Sequence, residues 1–150
     1  MKVIIYTDGA ARGNPGPGGY GIVLESSGGH RKELSGGFAR TTNNRMELLA
    51  VIKGLEALRS KEHEIEVVSD SKYVVDAINK GWLRNWVQKG FKDKKNPDLW
   101  RELLPLLERY NPSFVWVKGH NNHPQNERCD ALAVAASKAK DLPPDLGYSS

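Results

Sequence analysis

Two apolar, β-branched runs in this chain end on an acid: KVIIYTD at residues 2–8 and EIEVVSD at residues 64–70. Each has the length and composition of a buried strand. After the second run the hydrophobic period changes at once, and SKYVVDAINKG reads as a helix. Between the two runs, TTNNRMELLAVIKGLEALRS places Leu48, Val51, Ile52, Leu55 and Leu58 at helical spacing behind Thr and Asn caps. Strands that alternate with helices in this way give parallel pairs, and ligands of such sheets collect beyond the carboxyl ends of the strands. Both terminal acids, Asp8 and Asp70, are delivered to that edge.

The other segments fill in an α/β domain with a mixed sheet. YGIVLESSGGHRKELSGGFA is two strand-like runs joined at Ser27-Gly28-Gly29, an antiparallel hairpin. NPDLWRELLPLLERY has Pro97 in a first helical turn and Pro105 where it should kink or divide the helix. SFVWVKGH is a last short strand, and HPQNERCDALAVAASKAK is an alanine-rich helix that starts near Pro124. At 150 residues the chain is one domain by length. Residues 1–142 form its body and 143–150 an extended tail. The stretch TDGAARGNPGPGGYG carries a literal G-x-G-x-x-G in Gly16, Gly18 and Gly21. A dinucleotide site needs that motif between a strand and a helix. Here Pro15 and Pro17 interrupt it and a strand-like run follows, so it reads as a tight polar turn that presents Asn14.

Asp8 and Asp70 could each be an ordinary turn or capping residue. Glu47 adds weight, because it shares one helical stripe with Val51, Leu55 and Leu58 and so puts a charge on an apolar face; a solvated first-turn glutamate is its other reading. Asp130, near the start of a helix, is structural by spacing alone. Carboxylates brought together repel unless a cation joins them, and oxygen ligation suits Mg²⁺ or Mn²⁺. Zinc fits poorly, since His120, His123 and Cys129 lack a fourth ligand at a recognised spacing. Two hard ions among acids can activate a water and stabilise a leaving oxygen in phosphoryl transfer.

The positive charge is local. KGWLRNWVQKGFKDKK, residues 80–95, holds six bases against the single acid Asp93, in a chain whose net charge is +4. Its Trp82 and Trp86, at i,i+4, are expected to pack this element while the cations grip phosphates, contacts that give affinity without sequence selectivity. Asn14, Thr42, Asn43 and Asn44 are good turn or capping residues. Facing a ligand, they suit minor-groove edges and 2′-hydroxyls. The lone Cys129 cannot pair internally, no run reaches the ~20 apolar residues of a membrane span, and MKVIIYTD meets an acid too early for a secretory signal. The expected compartment is the cytoplasm and the expected state a monomer.

TDGAARGNPGPGGYG, RTTNNRMELLA, SDSKYV, WVKGH and HPQNERCDALA, in this order and with a tryptophan-bearing basic protrusion between the third and fourth, closely resemble the type 1 ribonuclease H family in its compact bacterial form. The resemblance covers roughly residues 2 to 148. It implies a ribonuclease H-like fold, a five-stranded mixed sheet with helices on both faces. It also implies endonucleolytic, Mg²⁺- or Mn²⁺-dependent cleavage of the RNA strand of RNA/DNA hybrids, leaving 5′-phosphate and 3′-hydroxyl ends. The four acidic ligands fall on Asp8, Glu47, Asp70 and Asp130, and a loop histidine that aids proton transfer or product departure on His120. Substrate contacts fall on Asn14, Asn43 and Asn44 in the minor groove, on Arg40, Thr42 and Asn96 at a DNA-strand phosphate, and on Trp82 with the protrusion, where Arg84 and Lys89 join it. Departures are Ala10, Ala11 and Arg12, where relatives often carry small polar residues, and Lys72 at a glutamine position that faces substrate. They bear on fine contacts and cleavage preference, while the acids are untouched. Two rivals remain: a hybrid-binding module without catalysis, against which the full set of acids argues, and a dinucleotide-dependent oxidoreductase, against which the interrupted glycine motif argues.

Overall fold

Strands β1 (Lys2–Ala11), β2 (Gly16–Ser26), β3 (Arg31–Thr41), β4 (Glu64–Ser69) and β5 (Ser113–Trp116) form one sheet in the order β3-β2-β1-β4-β5. The structure, a computed structural model, describes residues 2–59, 64–119 and 123–148. β1, β2 and β3 pair antiparallel, and β4 joins β1, then β5 joins β4, in parallel. Among the described residues five helices accompany the sheet: α1 (Asn43–Glu56), α2 (Lys72–Asn79), α3 (Trp82–Gln88), α4 (Pro97–Tyr110) and α5 (Pro124–Ser137). This is the mixed α/β sheet that the alternating periods predict.

Side-chain alternation along β1 builds two cores. Val3 and Ile5 point into the larger one, with Ile22, Val67 and the apolar stripe of α1. Ile4 and Tyr6 point the other way, to Val23, Val68 and Cys129 beneath α5. Both faces of β1 are therefore covered, which is why its sequence reads as continuously apolar. Thr42 caps α1 by accepting a hydrogen bond from the Arg45 amide at 3.2 Å, and Ser71 caps α2 through the Val74 amide at 3.3 Å. Leu58 lies just past α1 and packs half-buried against its core.

Two expectations change. α4 runs unbroken through Pro105, whose ring sits on the exposed side. The glycine-rich stretch is mostly strand: only residues 12–15 turn, and Gly16, Gly18 and Gly21 lie in β2, paired with Thr41, Ala11 and Asp8. Gly21 is needed because α5 crosses the sheet at close range. A Cβ on Gly21 would run into the Cys129 carbonyl and the Leu132 side chain.

Residues 143–148 contain no helix or strand, yet they are tied to the body. The Ala39 amide donates to the Pro143 carbonyl at 2.8 Å, and Thr41 Oγ1 donates to the Asp145 carboxylate at 2.7 Å. Among the described residues no helix is long and apolar enough to cross a membrane.

Candidate active site

The register of the parallel pair creates the site. Thr7 of β1 stands beside Ser69 of β4, so the next residues, Asp8 and Asp70, emerge together at the carboxyl edge of the sheet. Glu47 reaches them from α1, which can come close only because residue 9 is glycine: a Cβ there would collide with the Glu47 amide and with Met46. Asp8, Glu47 and Asp70 each place one carboxylate oxygen within 4.8 Å of the others. Asp130, on α5 one residue past Cys129, lines the same cleft of about 520 Å³, as do Asn43, Asn44, Lys72 and Tyr73. Gly9 and Gly21 thus flank Asp8 and admit the helices that bring Glu47 and Asp130.

The electrostatics show what such a cluster lacks. Asp8 is 5 % exposed and its carboxyl is pushed up to about 8, by burial first and then by the charges of Asp70 and Asp130; the 2.9 Å hydrogen bond from the Gly9 amide pulls the other way. Glu47 is held well above the usual carboxylate range by burial, then by Asp8 and Asp70. Among the described residues, Glu47 Oε1 and Asp70 Oδ1 are buried and find no hydrogen-bond partner. Buried acceptors of this kind are costly to leave unsatisfied. Crowded, unpartnered oxygens fit a hard divalent cation, which would satisfy them and cancel the repulsion.

The neighbouring positions divide into clear groups. Asn14 and Asn43 brace the rim: Asn14 Oδ1 accepts from the Asn43 amide at 3.1 Å, and Asn43 Oδ1 accepts from the Ala11 amide at 2.5 Å. The Asn14-Pro15 peptide is cis. Lys72 reaches the acid cleft with its ammonium 4.7 Å from the centre of the Trp116 ring, while the Trp116 indole donates to the Asp70 carbonyl at 3.0 Å. Thr42, Asn44 and Asn96 line a second, adjoining cleft of about 620 Å³ together with Lys94 and Lys95. Arg40 is exposed at the end of β3 and lines neither cleft.

Trp82, Arg84 and Lys89 lie on or just after α3, away from the acids. Here the paired-tryptophan expectation divides. Trp86 packs edge-on against Trp100 at 5.5 Å, whereas Trp82 is 44 % exposed and leaves the anchoring of α3 to Leu83. A seven-residue helix has room for one buried turn, and Leu83 and Trp86 occupy it. His120 lies outside the described residues. His123 caps α5, its Nδ1 accepting from the Asn126 amide at 3.2 Å, which makes it a structural residue.

Sequence reasoning missed Tyr73, whose hydroxyl accepts from the Trp100 indole at 2.9 Å and from Asn96 Nδ2 at 3.3 Å. It also missed Arg45, 2 % exposed. The signal for Arg45 was the one used for Glu47, since it lies three and seven residues before Leu48 and Ile52 on the apolar side of α1.

A profile of the RNase H family matches residues 1–138. The chain belongs to the RNase H family. It is 57 % identical over 152 residues to the ribonuclease H of Syntrophus aciditrophicus, across 98 % of this chain and 87 % of that one. It also resembles the RNase H1 of the halophilic archaeon Halobacterium salinarum, at 34 % identity and a TM-score of 0.68 over 91 % of this chain and 97 % of that one. A further neighbour, LC11-RNase H1, was solved in complex with an RNA/DNA hybrid; it is 32 % identical, with a TM-score of 0.64 over 90 % of this chain and 96 % of its own. RNase H enzymes depend on divalent metal, and this RNase H family member carries an acidic cluster in Asp8, Glu47 and Asp70.

Proposed function

We propose that this chain hydrolyses the RNA strand of RNA/DNA hybrids, cutting internally and leaving 5′-phosphate and 3′-hydroxyl ends. The observation that carries the reading is the trio Asp8, Glu47 and Asp70, brought within 4.8 Å with two buried oxygens that find no partner among the described residues, in a member of the RNase H family. Three negative groups would repel a phosphodiester by themselves. They become useful with a cation between them and the substrate, which separates a nuclease from a module that only binds hybrids. The hybrid bound to LC11-RNase H1 supports the substrate class.

Asp8, Glu47, Asp70 and Asp130 hold divalent metal, Mg²⁺ with Mn²⁺ as its substitute. When bound, such ions supply Lewis acidity to activate a water and to stabilise the leaving oxygen of an in-line displacement. The chain's own residues do the rest. The glycine-permitted approach of α1 and α5 fixes the carboxylates before substrate arrives, so no reorganisation is needed at the moment of reaction. Asn14, Asn43 and Asn44 face the minor groove, with Asn14 Oδ1 accepting from the Asn43 amide and Asn43 Oδ1 from the Ala11 amide of β1. Lys72, stacked on Trp116, offers a cation to the backbone at the rim. Arg40, Thr42 and Asn96 take a phosphate of the uncut strand, and Trp82, Arg84 and Lys89 grip further along it. His120 assists proton transfer or product departure. Residues 1–142 act as one catalytic domain, with 80–95 as its grip, in a cytoplasmic monomer.

The test supplies a hybrid, an RNA duplex and a DNA duplex, each with Mg²⁺ or with chelator. Metal-dependent cutting confined to hybrid RNA, abolished in Asp70→Asn, is the expected result. A hybrid tightly bound but uncut would replace this reading with binding alone.

A further inference from the structure

The segment after α5 is tied into the body of the fold. Its Asp145 is clamped by the buried guanidinium of Arg45, which donates from Nε at 2.7 Å and from Nη2 at 3.1 Å. The same guanidinium makes a two-pronged contact with Asp98 of α4, at 2.9 and 2.7 Å, and donates to Asn96 Oδ1 at 3.3 Å. One buried cation therefore joins α1, the start of α4 and the tail. Burial alone would make the Arg45 charge costly, and the two carboxylates outweigh that penalty and hold the guanidinium protonated. Beyond Asp145 the chain turns back, the Tyr148 amide donating to the Asp145 carbonyl at 3.1 Å. That turn places Tyr148 in the wall of the second cleft, with Thr42, Asn44, Lys94, Lys95 and Asn96. Asn44 also lines the carboxylate cleft, so the two clefts adjoin at that residue.

We propose that the tail is a working wall of the nucleic-acid cleft: Asp145, clamped by Arg45, sets the turn so that Tyr148 bears on the sugar–phosphate backbone passing from the acids toward Lys94 and Lys95. The inference rests on the hybrid-nuclease reading above and deepens it. The chemistry is complementary on both sides. Lys94 and Lys95 meet phosphates, while the tyrosine ring offers a flat apolar face to a sugar or base and its hydroxyl a hydrogen bond. Asp145 touches no substrate and is a positioning residue. Breaking its pair with Arg45 leaves a buried charge short of one partner and frees the turn.

The experiment measures kcat and KM on a fluorescent RNA/DNA hybrid with Mg²⁺, and Kd by anisotropy in chelator, with thermal melting as the control for folding. Tyr148→Ala is expected to raise KM and Kd about 5-fold, the low end for loss of an aromatic contact to nucleic acid, with kcat within about twofold and melting unchanged. Asp145→Ala should raise KM and Kd at least as much while lowering the melting temperature, and Asp145→Glu should recover most of the affinity. Leu146→Ala, 91 % exposed and outside the cleft, should change none of these. If Tyr148→Ala binds and cuts with the parent's Kd and KM, or loses kcat instead, the proposal is overturned. Should Asp145→Ala fail to fold, Tyr148→Ala decides alone. A parent protein that leaves every hybrid uncut would sink the nuclease reading instead, and chelator binding would still report on the wall.

Discussion

The cost of crowding the carboxylates can be measured with Asp8→Asn. In metal-free protein the Asp8 carboxyl is raised from an ordinary 3.8 to about 8, so the folded state holds a proton that the unfolded chain gives up. Stability contributed by this group is greatest below pH 4 and is lost as pH rises from about 4 to about 8. At ~1.4 kcal/mol per pH unit, the full window to pH 7 sets an upper bound of about 4 kcal/mol on the penalty. The asparagine cannot ionise, and its carboxamide oxygen can keep the hydrogen bond from the Gly9 amide. Neighbouring acids relax when one charge is withdrawn, so the expected gain for Asp8→Asn in EDTA at pH 7.5 is ~1–3 kcal/mol, roughly 3–8 °C in Tm for a chain of this size. Urea denaturation of parent and variant in EDTA at pH 4.5, 6, 7.5 and 8.5 gives the difference directly. It should be near zero at the lowest pH and grow through the window. Saturating Mg²⁺ should reverse the order, because the parent gains binding free energy that the variant loses. A destabilised variant in EDTA at pH 7.5, or a difference that does not vary with pH, would refute the repulsion argument.

Three other perturbations address different links. Gly21→Ala forces its methyl into the Cys129 carbonyl and should cost ~1–3 kcal/mol in urea denaturation; because α5 must shift with Asp130, kcat should fall by more than the unfolded fraction accounts for. Cys129, fully buried and with its thiol pushed up to about 12 by burial and the charge of Asp8, should react with a disulfide reagent at pH 8 only as fast as the protein unfolds. Faster labelling would mean that α5 lifts from the sheet locally. Lys89→Ala, on the protrusion, should weaken hybrid binding equally across sequences and reduce the salt slope by about 1; an unchanged slope returns Lys89 to an ordinary solvated lysine.

The residues that could be read from the sequence are those whose role follows from local pattern. Period-2 and period-3.6 runs gave the strands and helices, and the two acid-terminated strands gave the edge at which Asp8 and Asp70 meet. Glu47 was visible as a charge on an apolar stripe. Asp130 was not visible by spacing, because nothing within α5 distinguishes it; its place depends on how closely α5 lies on β2, a tertiary property. Arg45 and Asp145 were hidden for a related reason. They pair across 100 residues of chain, and no local period reports a partner at that separation. Trp82 was misjudged as packing because i,i+4 spacing shows that two residues share a face without saying which of them the core reaches.

The glycine-rich stretch joins these two kinds of information. Met as a sequence it is a phosphate-loop motif in the wrong context, and its turn reading accounts only for residues 12–15. In β2 one of those glycines is an absence that lets another element in: Gly21 sits opposite Asp8 in the sheet and beneath the Cys129 carbonyl of α5. Gly9, beside Asp8 in the chain, does the same for α1. A methyl group at either position would hold a helix off the sheet and move Asp130 or Glu47 away from the aspartate. Two residues without side chains therefore determine whether the carboxylates converge, and the requirement becomes intelligible only once the partner helix is known.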